Sequence, residues 1–429
     1  MSRKAIQWLY KEIPILVDKG ILSSETADKL RQYYSDRKGP RVALIIFSLL
    51  GSLLIGSGII LLLAHNWQEL SRSARTILSL LPLILAQLLV GWTILKRNES
   101  DSWKEGTATF LFLMIGASAA LIEQTYHISF YDSHFLLFWM LLGLPLVYFM
   151  RATVPAMLYI IGITFWSGSA KFGDGNAILF WPLAALIIPH FLQIAKKDSY
   201  FIRFNFFSLI ISICLCVAIG ITLLDILPTY WMIIYGSFFA ILYLIGVLWV
   251  GKFKTNLLEP FKIVGLLGAF TLSYILTYRY IWKTIYWKFP QFAEAKGEYI
   301  FAVILFLIAL VLFVEFIRRD KTAVISFAFL PLVTLAGHAL YSFNPNTIFP
   351  VILFNLYLSA LGINTIAEGV KKEHIGTINL GIVILILLVV ARFFDSDMSF
   401  ITRGIAFIII GIGFLLTNLL LMNRWKNKT

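Results

Sequence analysis

The sequence predicts an all-α, polytopic membrane protein of about fourteen transmembrane helices (twelve to fourteen) behind a short N-terminal helical hairpin. Three observations predict it. Of the 429 residues, 59% are hydrophobic and 14% charged, with a mean hydropathy of +0.84, whereas a soluble domain carries about 25% charged residues to cover its surface. The apolar runs repeatedly exceed the roughly 18 residues that cross a bilayer as a helix. The Lys and Arg residues, finally, crowd into alternate loops.

Residues 1–41 form the one sizeable polar segment. RKAIQWLYKEIPILVDKG has apolar residues at helical spacing and ends at Gly20. ILSSETADKLRQYYSD begins a second helix, with Ser23 or Ser24 as N-cap and Glu25 in its first turn. The expected product is a cytosolic amphipathic hairpin at the membrane surface, with a structural or partner-binding role. The first apolar run starts near Val42 and is too long for a signal h-region, so no cleavable leader is expected.

From 42 to 423 the expected spans lie near 43–64, 75–95, 107–124, 134–150, 153–168, 177–195, 205–225, 229–250, 260–281, 299–317, 322–341, 347–367, 375–392 and 400–422, followed by a polar tail at 424–429. The fifth adjoins the fourth through Arg151 alone, which leaves the count open. FGDGN (172–176) reads as a plain glycine-rich outer turn. RYIWKTIYWKFPQFAEAKGEY (279–299) mixes aromatic residues with lysines, as a helix lying flat among lipid headgroups would, or an ordinary aromatic belt.

With the N-terminus cytoplasmic, the inner segments hold 27 Lys and Arg residues and the outer loops 9. The inner clusters sit at span ends, as in Lys96-Arg97, Lys196-Lys197 and Arg318-Arg319. This is the positive-inside pattern, and it puts both termini in the cytoplasm. The net charge of +13 then reflects topology and anionic inner-leaflet lipids, with no nucleic-acid partner. Cys214 and Cys216, two apart in an apolar run, point to different helix faces and read as packing residues.

LLLAHNWQELSRSARTILSLLPLILAQ (61–87), GASAALIEQTYHISFYDSH (116–134) and LPLVYFMRATVPAMLYI (144–160) resemble the predicted bacterial membrane proteins called domain of unknown function 2157. The hairpin ending GILSSETADKL is similar to that family's leading segment, and ARFFDSDMSFITRGIAFIIIGIGFLLTN (391–418) to its closing one. The resemblance implies a bacterial cytoplasmic-membrane protein and carries no established activity.

The candidate site residues follow from this topology. Glu123 lies about sixteen residues into the third span, at roughly 24 Å from its inner end. His127, four residues on, shares its face if the helix continues, with Gln124 beside it and Asp132 and His134 next in the chain. His65 and Asn66 close the first span, Asp225 the seventh, His338 sits in the outer third of the eleventh and Asn355 in the outer half of the twelfth. Arg392, Asp395, Asp397 and Arg403 suit a structural ion-pair network around the last hairpin. His190 and Glu315 are the main exceptions to this outward concentration. Charges in hydrocarbon cost about 2.5–3.5 kcal/mol and gather at cavities or partners.

The leading functional expectation is therefore a transporter or flippase-like carrier for a small-molecule or lipid-linked substrate. Its outward-facing polar cavity would use Glu123 and His127 as coupling groups. An envelope enzyme acting on a lipid-linked substrate and a non-catalytic scaffold are the alternatives. No GxSxG, P-loop, HExxH or CxxC motif occurs, and Glu123, His127, Asp132 and His134 are too loosely spaced for a metal. Neither metal nor other cofactor is expected.

Overall fold

The computed structural model describes residues 3–35, 69–127, 132–173, 175–195, 201–248, 259–284, 294–319, 325–343 and 346–393, together with Ile401, Gly404, Ile405, Ile408, Gly411 and Ile412. His65, Asn66, Asp395, Asp397, Arg403, the span at 43–64 and most of the span at 400–422 lie outside them. All elements among the described residues are helical.

Contacts divide the chain into two units, 1–78 and 79–429. In the first, α1 (Arg3–Asp18) and α2 (Ser24–Ser35) form a hairpin. The reversal uses Gly20 at φ +68, a left-handed conformation that glycine adopts without Cβ strain. Ser23 Oγ then accepts the Thr26 amide at 3.2 Å, the N-cap expected from its short side-chain oxygen. Ile13 and Ala27 are buried.

The remaining helices are α3 (Arg72–Lys96), α4 (Asp101–Tyr126), α5 (Asp132–Phe149), α6 (Thr153–Phe172), α7 (Phe180–Ala185), α8 (Ile188–Ala195), α9 (Phe201–Thr222), α10 (Leu227–Leu248), α11 (Glu259–Leu276), α12 (Arg279–Thr284), α13 (Lys296–Arg318), α14 (Leu330–Phe343), α15 (Ile348–Lys371) and α16 (Ile375–Phe393). Among the described residues, eleven stretches are long and apolar enough to cross a membrane, and α5 supplies a shorter apolar helix (Ser133–Phe149). The fourth and fifth expected spans are separate. The chain reverses at Arg151, φ 51, and an added Cβ on Gly162 of α6 would fall 2.0 Å from Met140 Sδ of α5, so the two helices run antiparallel.

α10 is the central helix. It carries no charged residue over Leu227–Leu248, and a helix apolar all round is stable only when surrounded. One set of its residues, Ile234, Phe238, Ile241 and Leu242, joins a core with α5, α6, α8 and α9. The opposite set, Met232, Tyr243, Leu244 and Leu248, joins a second core with α11, α14, α15 and α16. α13 is as apolar but peripheral, with Val303, Ile304, Leu307, Val311 and Val314 exposed, as suits a helix facing lipid chains. Trp282 in α12 is fully buried and donates Nε1–H to the Leu276 carbonyl at 2.8 Å. The amphipathic reading of 279–299 put this ring at a headgroup boundary. Instead it fills the space beside Tyr341 and Phe354, because its single donor finds a helix-end carbonyl there.

One end of the bundle is set by Glu105. Its carboxylate accepts the Thr153 amide at 2.8 and 2.9 Å and the Val154 amide at 2.9 Å, and faces Arg203 Nη1 at 3.3 Å. Ala152, at the N-cap of α6, has no side chain to satisfy those first amides, so Glu105 of α4 does so from outside. The N-terminal ends of α4, α6 and α9 therefore meet here, and α6 and α9 run parallel toward the other end.

Candidate functional site

At that other end the chain places a lysine between two carboxylates. Lys171, in the last turn of α6, sets Nζ 2.8 Å from Asp225 Oδ2 and 2.9 Å from Glu298 Oε1. Glu298, in the first turn of α13, uses its other oxygen to accept the Asp225 and Ile226 amides at 3.1 and 3.3 Å. It thereby ties the α9–α10 turn to α13. Each charge also complements its helix end, with the cation at a C-terminus and a carboxylate at an N-terminus. The Glu298 side chain is only 6% exposed and that of Lys171 18%, while Asp225 is 55% exposed. Two of the three ions are therefore largely withdrawn from solvent, and Asp225 is the entrance.

Two cavities share this centre. One of about 360 Å³ is polar and lined by Lys171, Gly175, Asn176, Thr222, Asp225 and Glu298, among others. The other, about 140 Å³, is apolar, with Trp181, Leu223, Ile300, Phe301 and Ile304 in its walls. Ile178, Thr222 and Glu298 line both. Trp181 and Phe301 lie with centroids 4.4 Å apart and their rings tilted by 32°, forming an aromatic wall. The turn FGDGN, read from sequence as a plain connection, thus supplies Gly175 and Asn176 to the polar cavity.

The segment entering from this turn is a broken helix. It begins as a 3-10 turn at Ala177–Leu179, continues as α7, tightens at 186–187 and resumes as α8. Pro189 explains the break, since it lacks an amide and its ring clashes with the carbonyl four residues back, that of Ala185. Tyr159 Oη donates to the Leu183 carbonyl at 3.1 Å, and Tyr148 Oη to that of Leu186. The break falls midway along Ala177–Ala195, where no water meets loose carbonyls and neighbouring helices must. Just beyond it, His190 is buried between the Tyr148 and Phe207 rings at 6.2 and 6.3 Å, with no hydrogen-bond partner on either ring nitrogen among the described residues. Replacing both tyrosines, Y148F/Y159F, is expected to remove about 1 kcal/mol per bond, read as a lowered unfolding temperature in detergent.

The residues singled out by sequence distribute unevenly. Asp225 is in the triad. His338 packs tilted against Tyr230 at 5.2 Å, and Tyr230 meets Tyr299 edge-on at 5.9 Å, so it reaches the residue next to Glu298 through aromatic contacts. Asn355 and Arg392 meet elsewhere, on Thr277. Asn355 Nδ2 donates to its carbonyl at 3.4 Å and Arg392 Nη2 to its hydroxyl at 3.1 Å, while the guanidinium lies 5.2 Å over the Tyr278 ring.

Glu123 and His127 do not share a helix face. α4 ends at Tyr126, and His127 is its C-cap at φ 53, a left-handed turn that swings its side chain off the i, i+4 register. Glu123 is half-buried, and Gln124, His127 and His134 are exposed. Asp132 opens α5. α4 adjoins α5 and α6, whereas His338 lies in α14 beside α10 and α15. Among the described residues, no group of three His, Cys, Asp or Glu side chains is placed to hold a metal ion.

Sequence reasoning missed Lys171 and Glu298. A signal existed, because Lys171 is the single Lys or Arg between Arg151 and Lys196 and Glu298 opens a span of nearly pure hydrocarbon. Only the fold shows that they meet, 127 residues apart in the chain.

Residues 15–156 match the family model described as predicted membrane protein (DUF2157). That match takes in most of the hairpin and the chain through the start of α6; the closing segment at 391–418 and the whole of the Lys171–Asp225–Glu298 centre lie beyond it. No curated protein and no solved structure matches the chain.

Proposed function

We propose that this multi-pass membrane protein is a transporter or flippase-like carrier. The polar head of an amphiphilic, lipid-linked substrate would occupy the cavity at Lys171, Asp225 and Glu298, and its apolar part the cleft beside Trp181 and Phe301. The observation supporting this reading is that a charged cavity and an apolar cleft share walls, at the mouth of a helix broken at its middle. Discontinuous helices at mid-bilayer recur at carrier substrate sites. In the bacterial cytoplasmic membrane, with both termini cytoplasmic, the centre opens outward.

The coupling role then passes from Glu123 and His127 to Glu298 and Asp225. Lys171 with two ionised carboxylates leaves one net negative charge. A proton taken up by either carboxylate weakens its hold on Lys171, and the ammonium turns to an anionic head group. Release of the proton restores the triad and expels the head.

Access can be tested without knowing the substrate. Ile178 lines both cavities, so I178C, in a chain with Cys214 and Cys216 replaced by alanine, reports on their exposure. A carrier predicts labelling by a membrane-impermeant maleimide from either face of the membrane, in spheroplasts and in inverted vesicles. Labelling from one face alone would remove the carrier reading.

A further inference from the structure

A further cavity is remote from the triad. It holds about 520 Å³, within the roughly 300–1,000 Å³ of small-molecule sites, and lies against the last turns of α13 and the end of α10. Leu248, Leu310, Val311 and Val314 form its apolar wall, and Glu315, Arg318 and Arg319 its polar rim. Arg318 and Arg319 are exposed. Glu315 engages Arg319 through Nε alone, at 2.5 Å, and the Nη nitrogens have no partner among the described residues. One carboxylate against two guanidinium groups leaves the rim cationic.

Position decides what kind of ligand meets it. Glu298 and Arg318 stand twenty residues apart on one continuous helix, roughly 30 Å at 1.5 Å per residue, which is the thickness of the hydrocarbon layer. With the triad at one boundary, the two arginines fall at headgroup level on the opposite one. The groove beside them runs back along the exposed, apolar flank of α13, where the surroundings are acyl chains. A cation pair above an apolar groove fits a phosphate above a chain.

We propose that this groove binds one anionic glycerophospholipid, its phosphate held by Arg318 and Arg319 and an acyl chain lying along Leu310, Val311 and Val314. Guanidinium suits the task because it stays charged and offers a fork of N–H donors to phosphate oxygens. The site is independent of the carrier reading, since it occupies other residues at the other boundary.

Native mass spectrometry of the full-length protein in detergent tests it, with dioleoylphosphatidylglycerol and dioleoylphosphatidylcholine as probes of equal chain length. The expected result is about tenfold stronger retention of the anionic lipid, the worth of one charge-assisted contact. R318Q/R319Q should abolish that preference. V311W, which fills the groove away from the charges, should lower retention of both lipids without changing their ratio. Equal retention by the unaltered chain, or a preference that survives R318Q/R319Q, would overturn the proposal. So would displacement of the anionic lipid by millimolar inorganic phosphate, which would make this a phosphate site rather than a lipid site.

Discussion

K171M is expected to destabilise the protein by about 3–5 kcal/mol, the cost of removing one partner from a buried ion pair. The penalty falls on what remains. Glu298, 6% exposed, would be left with only the Asp225 and Ile226 amides to hold it, beside a second carboxylate. E298Q alone leaves Lys171 paired with the more exposed Asp225 and keeps an acceptor oxygen for the turn, so it costs less. The double variant K171M/E298Q should recover part of the K171M loss, because the uncompensated acid is gone. Thermal unfolding of the four proteins in one detergent gives the interaction term directly. Strict additivity would mean that the triad is not a coupled unit. Three variants with unchanged unfolding temperatures would mean that the carboxylates and the ammonium do not meet at all.

G265L carries the second large effect. α10 and α11 run antiparallel so closely that a Cβ on Gly265 would sit 2.4 Å from the Tyr243 amide nitrogen and 2.7 Å from the Phe239 carbonyl. Those are backbone atoms of the central helix, which cannot rotate aside as a flexible side chain does. Overpacking costs about 1–3 kcal/mol where side chains can adjust. Here the whole helix must move, and both of its cores move with it, so the upper end of that range or beyond is expected. The measurable outcome is loss of monodisperse protein after detergent extraction. G404L, at an exposed position near the C-terminal end of the sequence with nothing within 4 Å of the added Cβ, is the control that should behave as the unaltered chain. If G265L extracts and unfolds like G404L, the close approach of α10 and α11 is wrong.

Much of the helix layout was legible in the residues because hydrocarbon length is a one-dimensional property. A run long enough to cross thirty ångströms reads as a helix whatever its neighbours are, and α10, α15 and α16 begin and end within a few residues of the expected limits. Local punctuation was legible for the same reason. Gly20 and Ser23 mark the hairpin through their own backbone preferences. Where the reading failed, the deciding quantity was not local. His127 shares the Glu123 face only if the helix continues, and a left-handed C-cap ends the helix at Tyr126. Trp282 looked interfacial by composition, yet a carbonyl six residues away and a gap beside Phe354 draw it inward.

The sequence by itself determined that this chain must be an α-helical membrane protein, since apolar runs of that length leave no other way to satisfy their backbone in lipid. The tertiary structure alone decided which polar residues share a site. Glu123 has His127, Asp132 and His134 close by in sequence, whereas Lys171 and Glu298 lie 127 residues apart and still form an ion pair. The reason is geometric. Helices thirty ångströms long bring their ends together in loops, so residues more than a hundred positions apart meet at a boundary. Which ends meet depends on how the apolar faces of α6, α9, α10 and α13 interlock, and that is a property of packing in three dimensions rather than of any segment read alone.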